Sequence, residues 1–124
     1  MKIQTGIDII EVKRIEEAIE KQGERFLKTI YTPKEIEYCE KTNKMKYQHY
    51  AARFAAKEAI YKAISFAIAE KEDNILTKIE IVNEKNGKPI ANIEKLKIQN
   101  IETMDLSISH LQDYAVASFT ILFK

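Results

Sequence analysis

The chain has the pattern of an α+β protein, with helices packed on a small antiparallel sheet. Three observations support that reading. Apolar residues recur at helical spacing in the first half, as in Val12, Ile15 and Ile19. After the polar run "EKEDN" the period falls to two, first through Ile79 and Ile81 and later through Met104, Leu106 and Ile108. Between these alternating stretches lies "KNGK", whose Asn86-Gly87 pair is typical of a two-residue hairpin turn.

Taken in order, "KIQTGIDII" is β-branched and reads as a short strand running into a helix near Asp8. The helix in "EVKRIEEAIEKQG" turns Val12, Ile15 and Ile19 to one side and stops at Gly23. Arg14 and Lys21 lie opposite that apolar face, toward solvent or a partner. "ERFLKTIY" is a further short helical piece. In "TPKE", Thr32 is the N-cap, Pro33 the first helical residue and Glu35 the capping-box acid of a helix reaching about Lys41. "KTNKMK" is a basic loop, and a long helix then runs from near Tyr47 to about Ile68. The last run, "YAVASFTILF", is apolar on both faces. A small domain hardly covers both faces of its final strand, so the run points to an oligomer or to a buried central strand.

A length of 124 residues suits one domain, residues 1–124, with no repeat or linker. With 20 Lys plus Arg against 19 Asp plus Glu, no overall field recruits nucleic acid or a membrane surface. Any basic binding face is therefore local. Cys39 is the only cysteine, which excludes an internal disulfide and fits a small residue on a helix face. The N-terminus lacks the apolar core of a secretory leader, and no run approaches the roughly 20 apolar residues of a bilayer span. The expected location is cytoplasmic.

The chemistry-bearing stretch is "AARFAAKEAIYKA", Ala51 to Ala63. Glu58 and Lys62 are four apart on one helix face, and Arg53 and Lys57 pair one step round. By spacing alone these are surface charges, with any ion pair among them worth a few tenths of a kcal/mol. Against that, small residues surround the charges, so part of the helix is close-packed and open to a bulky ligand. Asp8 reads either as a helix cap or as one of two carboxylates that share Mg²⁺ with substrate phosphates. Glu58 is the available second ligand. His110 ends "SISH" as an ordinary structural histidine or, with Ser107 and Ser109, as an anion contact.

Together, "GIDIIEVKRI", "RFAAKEAIYKA" and "SISH", with "NGKP" at Asn86 to Pro89, resemble the holo-acyl-carrier-protein synthases in order and spacing. That resemblance implies a phosphopantetheinyl transferase fold. It also implies transfer of 4′-phosphopantetheine from coenzyme A to a serine of apo-acyl carrier protein, with adenosine 3′,5′-bisphosphate as the other product. On it, Asp8 and Glu58 hold Mg²⁺ against the pyrophosphate, and Glu58 accepts the serine proton. Lys62 meets the same phosphates. Arg53, Gly87, Pro89 and His110 surround the nucleotide and its 3′-phosphate, while Arg14, Lys21 and Arg25 dock the acidic carrier protein. Larger members of this family carry two copies of the fold, so this single copy is expected to be a homotrimer. The competing expectation is a non-catalytic module that binds carrier protein or a CoA-like nucleotide. One departure is the absence of glycine between Gly23 and Gly87, in "AISFAIAEKED", where helix is expected to continue.

Overall fold

The longest helix organises the rest of the chain. A computed structural model describes residues 1–68 and 73–124. Strand β1 (Lys2–Glu11) leads into α1 (Val12–Gln22), α2 (Glu24–Ile30) and α3 (Pro33–Glu40). A 3₁₀ turn at Asn43–Met45 then opens α4 (Lys46–Ile64). Hairpin strands β2 (Glu80–Asn83) and β3 (Pro89–Asn92) follow, then the long strands β4 (Ile101–His110) and β5 (Tyr114–Phe123). The long strands form an antiparallel sheet in the order β1-β5-β4, and β2 and β3 form a second, two-stranded sheet.

Helix α4 lies on the inner face of the three-stranded sheet, and its small residues allow a close approach. Ala55, Ala56, Ala59 and Ala63 are fully buried against Phe119 and Ile121 of β5. The closest point is Gly6 of β1, where a Cβ would stand 1.8 Å from the Ala59 carbonyl oxygen. No other residue type fits there without moving the helix or the strand. A second apolar cluster, around Val12, Ile15, Ile19, Tyr31, Cys39 and Tyr50, ties α1, α2 and α3 to the start of α4. Cys39 is buried within it, and burial pushes its thiol up to about 12.

The boundaries agree with the sequence where local signals are strong. Thr32 and Glu35 close a full capping box on α3, with Pro33 in the first turn. Gly23 ends α1 at φ +60°. Elsewhere long-range pairing decides. Strand β1 pairs with β5 from Lys2↔Phe123 to Glu11↔Tyr114, so it continues three residues beyond Asp8. Asp8 is therefore a strand residue and caps no helix; α1 follows Glu11, which provides no side-chain cap.

Helix α4 ends at Ile64, short of Ile68, and passes into a 3₁₀ turn at Ser65–Ala67 whose Phe66 ring packs edge-on against Phe123. The expected continuation through Ala69 to Glu72 lies outside the described residues. At "KNGK" the hairpin has a three-residue loop. Glu84 N–H donates to Lys88 O and Gly87 N–H to Glu84 O, each at 2.8 Å, and Gly87 alone in the loop takes positive φ. Asn86 keeps negative φ and uses its side chain to accept from the Lys88 N–H at 3.0 Å.

Strand β5 is central, yet its two faces differ. Ala115, Ala117, Phe119, Ile121 and Phe123 are buried beneath α4, whereas the opposite face carries exposed Ser118 and Thr120. That outer face is not covered by this chain, and beside it β1 exposes Ile3, Ile7 and Ile9.

Lys57 corrects the surface-pair reading. Its side chain and that of Glu35 are both wholly buried, with Nζ 2.5 Å from Oε1. Lys57 Nζ also donates to Ile30 O and Leu76 O, and Glu35 accepts from the backbone N–H of Thr32 and of Ile81. This buried pair joins α4, α3, the end of α2 and β2, and it faces no phosphate. Burial lowers the Lys57 ammonium, and the Glu35 carboxylate opposes that shift.

Candidate active site

The contact at Gly6 sets the first cluster. Alternation along β1 puts Asp8 on the same inner face two residues later, beside α4. Lys62 reaches across from the last turn of α4, donating to Ile7 O at 2.9 Å and to Asp8 Oδ1 at 3.1 Å. Glu58, one turn earlier on α4, is half-buried. Its carboxyl is raised above the ordinary range, first by burial and then by the Asp8 charge, with Lys62 drawing it back. Asp8 and Glu58 thus lie on facing elements beside Lys62, and the Asp8 charge disfavours the Glu58 anion.

Two repelling carboxylates on facing elements suit a divalent cation, which removes the repulsion. Among the described residues no three His, Cys, Asp or Glu side chains converge into a metal cage. A pair of carboxylates is a donor set that could hold Mg²⁺, which takes one or two carboxylates and leaves its other positions to water and substrate phosphates.

A second cluster surrounds a cavity of about 220 Å³ lined by Tyr38, His49, Arg53, Asn83, Pro89 and His110, among others that include Gly87. Arg53 is 4% exposed and stacks its guanidinium 4.1 Å from the centre of the Tyr38 ring. One terminal nitrogen donates to Asn83 Oδ1 at 2.5 Å, and Asn83 Nδ2 donates to Gly87 O at 3.0 Å. Asn83 thus connects the arginine to the hairpin loop. The Nε of Arg53 is buried and has no partner among the described residues. An unpaired buried donor beside a cavity free of lining carboxylates is a place for an anion. His110 sits at the rim with Nδ1 2.8 Å from Gln48 Oε1. Ser107 and Ser109 are exposed on the opposite face of β4, so strand alternation separates them from His110.

The expected site residues are therefore in two groups. Asp8, Glu58 and Lys62 form one; Arg53, Gly87, Pro89 and His110 form the other. Arg53 and Glu58 are five residues apart, which turns them about 140° around α4. None of Asp8, Glu58 or Lys62 lines the cavity. Arg14, Lys21 and Arg25 form a separate exposed set on α1 and α2, and among the described residues their side chains have no partner. Sequence reasoning missed Tyr38, His49 and Asn83, which carry no local signal because α3, α4 and β2 meet only in the folded chain. It quoted Gly6 without its task, although a glycine two residues before a strand aspartate is the kind of signal that marks a close approach.

Residues 4–118 match the 4′-phosphopantetheinyl transferase superfamily. The chain belongs to that superfamily. Among relatives of this transferase, holo-[acyl-carrier-protein] synthase of Clostridium tetani is 43% identical over 122 residues, covering 94% of this chain and 93% of its own. The synthase of Ruminiclostridium cellulolyticum is 41% identical, covering 94% and 90%. The crystal structure of Helicobacter pylori holo-[acyl-carrier-protein] synthase in complex with coenzyme A superposes with a TM-score of 0.76 at 30% identity, over 95% of this chain and 99% of that one. The Neisseria meningitidis synthase gives 0.81 at 30% identity, over 96% and 97%. These transferase structures share the helices packed on small antiparallel sheets described above.

Proposed function

We propose that residues 1–124 act as one transferase domain that moves 4′-phosphopantetheine from coenzyme A to a serine of apo-acyl carrier protein, with Mg²⁺ held by Asp8 and Glu58. The observation that carries this is the crossing of β1 and α4, where Lys62, one turn after Glu58, bonds Asp8 Oδ1 at 3.1 Å. The serine hydroxyl oxygen forms a bond to the phosphorus that bears the pantetheine. The bond from that phosphorus to the bridging oxygen breaks, and adenosine 3′,5′-bisphosphate leaves with the electron pair. Glu58 is the acceptor for the serine proton. Lys62 is poised to neutralise phosphate oxygens, and bound Mg²⁺ would supply the remaining charge neutralisation. Arg53, His110 and the Gly87–Pro89 turn hold the nucleotide end and its 3′-phosphate.

Arg14, Lys21 and Arg25 are the docking cations for an acidic carrier protein. The homotrimer is supported by the exposed isoleucines of β1 and by the separation of the two clusters. A coenzyme that contacts both draws the carboxylates from one subunit and the arginine pocket from the next. Among the described residues no helix is long and apolar enough to cross a membrane, and we place the protein in the cytoplasm.

A module that only bound carrier protein or nucleotide would have no use for Glu58, a half-buried carboxylate set beside Asp8. The deciding experiment incubates the chain with apo-acyl carrier protein, coenzyme A and Mg²⁺ and follows the carrier's mass. Addition of one phosphopantetheine that depends on the metal is the expected result; an unchanged mass overturns the enzyme reading in favour of the binding module.

A further inference from the structure

The arginine cavity contains a second histidine to which the reading above gives no task. The ring of His49, on the first turn of α4, has its centre 5.3 Å from the His110 ring at an interplanar angle of 87°. On its other side it meets the Tyr38 ring at 5.4 Å. Hydrogen bonds fix the tautomers. The Thr42 hydroxyl donates to Cys39 O at 2.7 Å, so at 3.0 Å from His49 Nδ1 its oxygen can only accept, and Nδ1 carries the proton. His110 Nδ1 likewise faces an acceptor, Gln48 Oε1. His49 is therefore left with Nε2 as the position that gains a proton.

The groups around His49 are Tyr38 and Thr42 from α3 and the segment after it, Gln48 and Arg53 on its own helix, and His110 from β4. None is a carboxylate. Glu40, also on α3, is committed to the Tyr50 hydroxyl at 2.6 Å and to Lys46 at 3.2 Å. The pocket thus offers one permanent cation, Arg53, whose buried Nε has no partner among the described residues, and two histidine rings beside it. A phosphate monoester brings close to two negative charges at neutral pH.

We propose that His49 is a binding residue for the 3′-phosphate of the nucleotide, and that it takes up a proton at Nε2 when that phosphate enters the cavity. The proposal rests on the reading that the nucleotide occupies this cavity. It makes coenzyme capture proton-coupled, stronger as pH falls toward the ordinary histidine range, and selective for nucleotides that carry a 3′-phosphate. Burial, followed by the neighbouring His110 and Arg53, lowers His49 below its ordinary value in the free protein. It is therefore neutral at pH 7 and has a proton to gain.

The test is calorimetric titration of the protein with coenzyme A at pH 7 in two buffers of different ionisation heat, repeated with dephospho-coenzyme A and with His49→Phe. The expected result is net proton uptake of roughly half a proton or more for coenzyme A, with much less uptake for the dephospho compound and for the variant. Affinity of the variant should be several-fold weaker at pH 6.5 and close to wild type at pH 8.5. Equal uptake and an equal pH slope in wild type and His49→Phe overturn the role of His49 and leave the nucleotide reading standing. Failure of coenzyme A to bind the wild-type protein overturns both. Should His49→Phe fail to fold, the Hε1 NMR titration of His49 in the wild type decides: its midpoint rises when coenzyme A is added, and an unmoved midpoint sinks the proposal.

Discussion

Glu58 sits where stability and function pull in opposite directions. Its folded-state pKa is raised by burial and by Asp8, so the protonated form is the one the fold prefers. The sign follows: stability from this group is fully present below its unfolded pKa and is lost as pH rises through the folded value. At pH 7.5 the ionised carboxylate is therefore a cost that Glu58→Gln removes. That variant should melt at the same temperature as wild type or higher, while transfer falls about 100-fold or more. Asp8→Asn should lose transfer similarly and recover part of it at high Mg²⁺. Scanning calorimetry beside the mass assay checks both, and a Glu58→Gln protein with near-normal turnover at low Mg²⁺ would remove the metal assignment. In wild type, apparent Mg²⁺ affinity, read from Mg²⁺ titrations of the mass assay at several pH values, should fall as pH drops through the raised Glu58 value, because proton and metal would compete for the same carboxylate.

The crossing of β1 over α4 places these groups, and Gly6 permits that crossing. Gly6→Ala puts a methyl onto the Ala59 carbonyl, so the strand or helix must move. We expect destabilisation of about 1–3 kcal/mol, as for an overpacked core. Transfer at a temperature where the variant is still folded should drop by a further 10-fold or more, because Asp8 moves with the strand. Denaturant unfolding and the mass assay separate the two effects. Lys57 acts on the same helix differently. Lys57→Met leaves Glu35 charged, buried and without its cation, which costs about 3–5 kcal/mol; a shift of less than about 1 kcal/mol in denaturant unfolding would contradict the buried-pair account. On α1, Val12, Ile15 and Ile19 face inward, so Arg14 has no packing duty. Arg14→Glu should raise the carrier protein's apparent KM about 10-fold or more while coenzyme A affinity stays within about 2-fold. Equal loss of both would exclude α1 as the docking face.

For the whole molecule, the unresolved demand is the outer sheet face. Ile3, Ile7 and Ile9 are each more than 60% exposed in a row along β1, and exposed apolar rows of this kind mark contact surfaces. If the proposed trimer forms through this row, Ile7→Asp should leave monomers in sedimentation. It should also abolish transfer with little change in the far-UV circular dichroism, since the clusters would no longer be completed across subunits. A wild-type protein that sediments as an active monomer would refute the assembly.

Local signals were legible where a few adjacent residues decide the outcome. The capping box at Thr32 and Glu35, the stop at Gly23 and the inward side of α1 all depend on backbone groups within one turn. Asp8, Glu58 and Lys62 stood out in "GIDII" and "KEAIYK" as candidates, but the contact between Asp8 and Lys62 follows only from the crossing of β1 and α4. What the tertiary structure alone decided is which charges are buried and which side chains share a cavity. Lys57 and Lys62 are both lysines on α4, yet one lies in the core against Glu35 and the other reaches β1. Ser109 and His110 are adjacent, yet pleating sends them to opposite faces of the sheet. Arg53, Asn83, His49 and His110 come from three segments far apart in the chain, and only the packing of α4 between the hairpin and β4 brings them to one cavity. Periodicity reports the side on which a residue lies, whereas the partner on that side is set by long-range pairing, which no local pattern encodes.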